Sequence, residues 1–279
     1  GALLSSLPDD PLAPGPQRAV PQASPGGSLR GIHGTLSGRP LAARRAQSTG
    51  MLDRPRGGAL ASSRRRAALP EVMRRAFWQL RNGRGGPVLV EVPLDVFRED
   101  VGDFNYVPSY KARSTPDPES VNEVAAVLAS AERPVIYAGQ GVHYAKAWDA
   151  LKTLAETWQI PVTTSLEGKS AFPEDHPLAL GSGGRAIPKP VHEFLQDADV
   201  ILGIGCSFAL TAFGVQMPKG KTIIHATLDA KDLNKDVPAQ HVLLGDAKLT
   251  LESLNTALEG HPKGAVVARA DVPALMAAI

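Results

Sequence analysis

Two glycine turns and two aspartates carry the chemistry this sequence offers. Gly139-Gln140-Gly141 follows one apolar run, and Gly205-Cys206-Ser207 follows another. Ahead of a helix, backbone N–H groups at such a turn can approach a phosphate, because a helix N-terminus carries unpaired donors and partial positive charge. The first turn is a fragment of the G-x-G-x-x-G pattern, with Tyr144 where the third glycine would stand. Tight strand-to-helix turns also need glycine for backbone reasons alone, so both readings stay open. Asp229 and Asp246 each close an apolar run. A carboxylate there accepts from ribose hydroxyls or an adenine amino group, and it equally caps a following helix. Thr164 and Ser207 add hydroxyls, with turn or cap roles as the alternative. Thr164-Ser165-Leu166 closes another run.

Other chemistries find less support. His143, His176, His192, His225, His241 and His261 show no paired spacing, so a zinc site is not expected. Cys206 follows a strand, but no His is implied beside it, and a buried free thiol is the expected state. Gly181-Ser182-Gly183-Gly184 resembles a phosphate-cradling loop only loosely and reads as a crossover. No catalytic residue and no metal ligand is assigned.

The elements that must position these turns follow from periodicity. Val72, Ala76, Phe77 and Leu80 mark one face of a helix that Pro70 opens and Asn82-Gly83 stops. Val88 to Val92 is a short strand ended by Pro93. Asp117 or Ser120 caps a helix running to about Ser130, with Val121, Val124, Val127 and Leu128 inward. Strand 134–138 is followed by a helix over 144–159, with Ala147, Trp148, Leu151, Leu154, Ala155 and Trp158 inward. Strand 161–165 and a loop over 167–187 precede a helix from Pro188 to Asp197. Strands 200–204, 222–228 and 241–245 come next. Ala247 to about Leu258 is the last helix, with Leu249, Leu251, Leu254 and Leu258 largely inward. Alternation of this kind predicts an α/β fold: a parallel sheet with helices on both faces and right-handed crossovers. Ligands of such sheets bind beyond the carboxyl ends of the strands, where all the turns named above fall.

Composition divides the 279 residues sharply. Residues 1–68 contain no Phe, Tyr, Trp, Lys or Glu, but eight Pro, ten Gly, ten Arg and three Asp, a net charge of +7. Such a segment cannot bury enough apolar area to offset chain entropy, and a largely disordered N-terminal segment is expected. Its runs Arg44-Arg45 and Arg64-Arg65-Arg66 can attract nucleic acid or an acidic membrane, but without interleaved aromatics a solvated tail is the preferred reading. The remainder is acidic, with 20 basic and 25 acidic residues. No run of about 18 apolar residues exists, so no membrane span is expected. One cysteine excludes an internal disulfide and suits the cytoplasm. Residues 98–117 read as a linker and 260–279 as a loose end.

Taken in order, these motifs resemble the thiamine-diphosphate-dependent enzymes, in their acetolactate synthase-like branch. Gly86-Pro-Val-Leu-Val-Glu-Val-Pro-Leu-Asp95 looks like the close of the family's pyrimidine-binding domain. Arg133-Pro-Val-Ile-Tyr-Ala-Gly-Gln-Gly141, Ala198-Asp-Val-Ile-Leu-Gly-Ile-Gly205, the strand ending at Asp229 and Gly245-Asp-Ala-Lys248 look like its Rossmann-like central domain. The resemblance covers about residues 69–259. It implies a remnant of the pyrimidine-binding domain at 69–97 and a central domain at 118–259. It also implies 2-oxo acid decarboxylation or carboligation in a parent enzyme that uses thiamine diphosphate and Mg²⁺. Family contacts to a small nucleotide, ADP or FAD, carry over to Gly139, Gln140, Gly141, Thr164, Leu166, Gly205, Ser207, Asp229 and Asp246. Two departures speak against FAD. The glycine loop at 181–184 lacks the family's His, and Phe208-Ala-Leu-Thr211 stands where flavin-binding members carry Asp and Arg. The family's catalytic Glu and its GDG…N metal motif are absent. The chain therefore reads as a piece of a longer enzyme, expected to serve assembly as a homo-oligomer and to lack catalysis alone. An autonomous nucleotide-binding module and a basic-tailed nucleic-acid scaffold are the alternatives.

Overall fold

The computed structural model describes residues 52–53, 59–62, 68–100, 102–103, 106–262 and 274. The chain forms two compact units, Gly1–Lys111 and Ala112–Ile279. The Arg runs of the N-terminal segment lie outside the described residues.

In the first unit, β1 (Leu52–Asp53) pairs antiparallel with β2 (Ala59–Ser62), which pairs parallel with β3 (Val88–Glu91). Neither β1 nor β2 is foreseen from sequence, since neither carries a periodic signal. β2 gains its conformation from its pairing with β3, residue for residue from Ala59↔Val88 to Ser62↔Glu91. Helix α1 (Leu69–Arg81) has Pro70 in its first turn and buries Val72 and Ala76, with Phe77 and Leu80 half-buried. It ends where Asn82 Nδ2 donates to the Trp78 carbonyl at 2.9 Å. A short helix α2 (Leu94–Phe97), also unforeseen, follows Pro93.

In the second unit, β4 (Val135–Ala138), β5 (Val162–Thr164), β6 (Ala179–Ser182), β7 (Val200–Ile204), β8 (Thr222–Thr227) and β9 (His241–Leu244) form one sheet. Its order is β6-β5-β4-β7-β8-β9, and every pairing is parallel. The helices are α3 (Pro118–Ser130), α4 (Gly141–Tyr144), α5 (Trp148–Trp158), α6 (Lys189–Asp197) and α7 (Ala247–Leu258). One core buries Leu128 of α3, Leu151, Leu154 and Trp158 of α5, and Leu251, Leu254 and Leu258 of α7 against Ile136, Leu202, Ile224 and Leu243 of the sheet. The other core sets Val191 and Leu195 of α6, with Cys206, Phe208 and Val215, against Val135, Tyr137, Ile201 and Ile223. Successive strand residues alternate between these cores, as a pleated sheet buried on both faces requires.

Three local expectations are corrected. The loop over 167–187 contains β6, an edge strand whose Gly181 (φ 101°) and register shift against β5 hide any alternating pattern. The single helix over 144–159 is two helices, because Lys146 takes a left-handed φ of 52° between them. Trp148 is 41% exposed rather than inward, and its indole N–H donates to His143 Nδ1 at 2.9 Å. Among the described residues, no helix is long and apolar enough to cross a membrane.

Candidate functional site

Because all six strands are parallel, their carboxyl ends form one rim. β4 and β7 lie side by side at its centre, with the earlier strands running outward on one side and the later ones on the other. Such a reversal point opens a crevice in sheets of this order. The turns that meet there are Gly139-Gln140-Gly141 after β4 and Gly205-Cys206-Ser207 after β7.

Backbone approach dictates the glycines at this junction. A Cβ at Gly139 would lie 2.4 Å from the Gly205 carbonyl oxygen, and one at Gly141 would lie 2.7 Å from Gly205 Cα. Gly205 itself has φ 62°, a left-handed value that other residues adopt at a cost. The N–H of Gly139 donates to Ile204 O at 2.9 Å, and that of Gly141 donates to Gly205 O at 2.8 Å. These donors are spent inside the protein. Gln140 is exposed between them.

The aspartates are occupied by local backbone. Asp246, buried at the start of α7, accepts through Oδ1 from the N–H groups of Lys248 at 3.1 Å and Leu249 at 3.3 Å. Asp229, half-buried, accepts from Lys231 N–H at 3.0 Å and caps a 3-10 turn over Ala230–Asp232. Thr164 is buried with its hydroxyl 2.9 Å from that of Ser182. Ser207 is half-buried and its Oγ lies 3.4 Å from the Ala209 N–H. Leu166 is exposed at the rim, as is Leu228 beside Asp229. All nine predicted residues therefore stand at the carboxyl ends of β4, β5, β7, β8 and β9.

A second group beneath the rim escapes a reading by motif. Gly203, mid-strand in β7, pairs with Tyr137 of β4 on one side and His225 of β8 on the other. A Cβ on Gly203 would fall 2.2 Å from Phe208 Cζ, so the turn after β7 folds its Phe208 ring back over the strand. That ring stacks on Tyr137 (centroids 5.8 Å apart) and meets His225 edge-on at 4.8 Å. His225 Nε2 lies 2.9 Å from the Cys206 carbonyl. A carbonyl only accepts, so Nε2 carries the proton and Nδ1 is bare. His225 Nδ1 is buried and has no hydrogen-bond partner among the described residues. Burial lowers the His225 pKa below its ordinary 6.5, opposed by the Cys206 hydrogen bond and by Asp232. Burial pushes the Cys206 thiol up to about 12, which keeps it protonated and a poor nucleophile near neutrality. Burial likewise raises the Tyr137 phenol well above its usual value. The sequence signals for this cluster are a glycine inside an apolar strand and a His inside another.

With this geometry in view, comparison with known proteins is decisive. Residues 121–254 match the family described as "Thiamine pyrophosphate enzyme, central domain". Residues 121–254 thus carry the central domain of a thiamine pyrophosphate enzyme. It is 38% identical over 200 residues to the "Probable acetolactate synthase large subunit" of Methanocaldococcus jannaschii, a match covering 68% of this chain and 34% of that protein. It is 32% identical over 214 residues to the acetolactate synthase of Mycobacterium bovis, covering 73% of this chain and 34% of that enzyme. The fold matches that of benzoylformate decarboxylase from Polynucleobacter necessarius with a TM-score of 0.61 at 24% identity, over 74% of this chain and 39% of that one. The chain thus spans about a third of the length of the curated relatives it matches. No group of three or more His, Cys, Asp or Glu side chains that could hold a metal ion occurs among the described residues. The described residues therefore offer no such cluster for the Mg²⁺ that would accompany thiamine diphosphate.

Proposed function

We propose that this chain is the middle portion of an acetolactate synthase-like enzyme of 2-oxo acid decarboxylation or carboligation. Its central domain, residues 118–259, would serve assembly as a homo-oligomer and hold a small nucleotide. Residues 69–97 would close the pyrimidine-binding domain, with 98–117 as the linker. The observation that carries this reading is the strand order, which sets the turn after β4 against the turn after β7 at the sheet's reversal point.

The glycines there shape the cleft rather than cradle phosphate, because the Gly139 and Gly141 N–H groups are already bonded. What remains at the rim is Gln140, Leu166, Ser207 and the second oxygen of Asp229. That donor and acceptor set suits the ribose hydroxyls and the apolar base face of a nucleotide. ADP is favoured over FAD, since Phe208 turns inward over Gly203 where flavin-binding members carry polar residues. Thr164 and Asp246 support the rim from below. No catalytic residue is proposed in this chain, and carbanion chemistry belongs to the assembled parent enzyme, whose cofactor supplies it.

Titration calorimetry of the purified chain with ADP, FAD and NAD tests the nucleotide reading. Binding of ADP that weakens in a Gln140→Ala variant is expected. No heat with any of the three removes the nucleotide role. Retention of thiamine diphosphate with Mg²⁺ through desalting would overturn the absence of catalytic machinery.

A further inference from the structure

The turn after β7 is shaped by residues packed under it. Gly205 (φ 62°) and Phe208 (φ 47°) are both left-handed, and Phe208 is a bulky side chain in a region that favours glycine. Such a conformation persists only where its surroundings over-determine it. Here the surroundings are the floor of Gly203, the Tyr137 ring on one side and the His225 ring on the other. Two hydrogen bonds tie β8 to this turn: Gly205 N–H donates to the Ala226 carbonyl at 2.9 Å at its start, and His225 Nε2–H donates to the Cys206 carbonyl at 2.9 Å, the side-chain bond of the two. The Gly205 carbonyl, one residue earlier, accepts from Gly141 N–H across the rim. Movement of the turn would therefore be felt at the turn after β4.

We propose that His225 is a positioning residue that holds the Gly205–Phe208 turn while its imidazole is neutral and releases that turn when it is protonated. A second proton would sit on Nδ1, which is buried and faces no acceptor among the described residues. A buried donor without a partner loses its full desolvation energy. The titratable groups facing the imidazole are few. Asp232, buried beyond the end of β8, attracts the charged form. The Cys206 thiol on the turn, and Tyr137 behind the Phe208 ring, stay protonated across the neutral range. Burial outweighs the Asp232 attraction, so the folded value lies below the ordinary 6.5. The unfolded chain then takes up the proton first. This contribution to stability is intact above about 6.5 and is lost as pH falls through the folded value. The proposal does not depend on whether a nucleotide binds the rim.

Hydrogen exchange of the whole chain, corrected for its intrinsic pH dependence, tests this between about pH 7.5 and about pH 5. In the unsubstituted chain, protection at 206–208 should fall about tenfold or more across that range while β5 and β6 stay protected. In His225→Gln, whose amide still donates to the Cys206 carbonyl but does not titrate, protection should stay level. Parallel pH profiles for the two proteins would overturn the proposal, as would simultaneous loss across all six strands. Should His225→Gln fail to fold, the ¹⁵N shifts of the His225 ring in the unsubstituted chain decide. Titration below 6.5 supports the latch, and titration at or above it overturns it.

Discussion

The two halves of the rim solve the same problem with different chemistry. At the junction of β4 and β7, main chain meets main chain: Gly139 and Gly141 lie against the backbone of Gly205, and Gly139 also against Cα and Cβ of Cys206. At the ends of β8 and β9, side chains do the work. Asp229 and Asp246 turn carboxylates onto the N–H groups of the residues that follow. Glycine and aspartate at strand ends thus mark where a rim is, and both types answer first to the fold. A ligand must use what is left over. The glycine half should tolerate no added atom, whereas the carboxylate half should lose about one capping interaction for each substitution.

Substitution on the glycine side should have the largest effect. Gly139→Ala places a Cβ against backbone at 2.4 Å and 2.6 Å, where no flexible side chain can yield. A loss of about 3 kcal/mol, in the range of overpacked cores, is expected in chemical denaturation. An unchanged midpoint would mean that the two turns are free to part. Asp246→Ala comes next, with a loss of about 1 kcal/mol for a two-donor helix cap. Asp229→Ala, which frees one N–H of a 3-10 turn, should lose less than half as much. Equal losses at 229 and 246 would remove the distinction drawn between a helix cap and a turn cap.

The smallest effect concerns a carboxylate that caps in the open. Asp117 accepts from Ser120 N–H at 2.9 Å and from its hydroxyl at 3.0 Å, and these bonds hold its carboxyl below the ordinary 3.8. A depressed folded value means stability that is present above about 3.8 and lost as pH falls through that folded value. Asp117→Asn should flatten this acid limb in urea titrations at low pH. A limb of unchanged slope would assign it to other carboxylates.

Much of the architecture was legible because it is written in local periodicity. The faces of α1, α3 and α7 are plain in Val72 and Ala76, in Val121, Val124 and Leu128, and in Leu251, Leu254 and Leu258. β6 was not legible, because a positive-φ glycine and a register shift interrupt its pattern and its pairing with β5 is what extends it. β1 and β2 were hidden for a similar reason. At the rim, residue types located the turns, and of the two caps offered for α3, Asp117 and Ser120, it is Asp117 that accepts, from Ser120 N–H. The sequence could not say that Gly139 and Gly141 face Gly205, since the partner lies far along the chain. His225 and Phe208 were missed on the same ground: one is an isolated His in an apolar run, the other an ordinary Phe after a strand. Their relation exists only once Gly203 stands between Tyr137 and His225 in register.

The strand order also bears on how the chain reaches this state. β4, made first of the six, belongs at the middle of the sheet, where Ile136 must pair with both Val162 and Leu202. During synthesis one flank of β4 finds β5 early, while the other stays open, a fully apolar edge, until β7 emerges. Pairings that close so late are slow, and an edge left waiting is prone to wrong partners. A helper that shields nascent chains should therefore matter most in the interval between Thr164 and Val200.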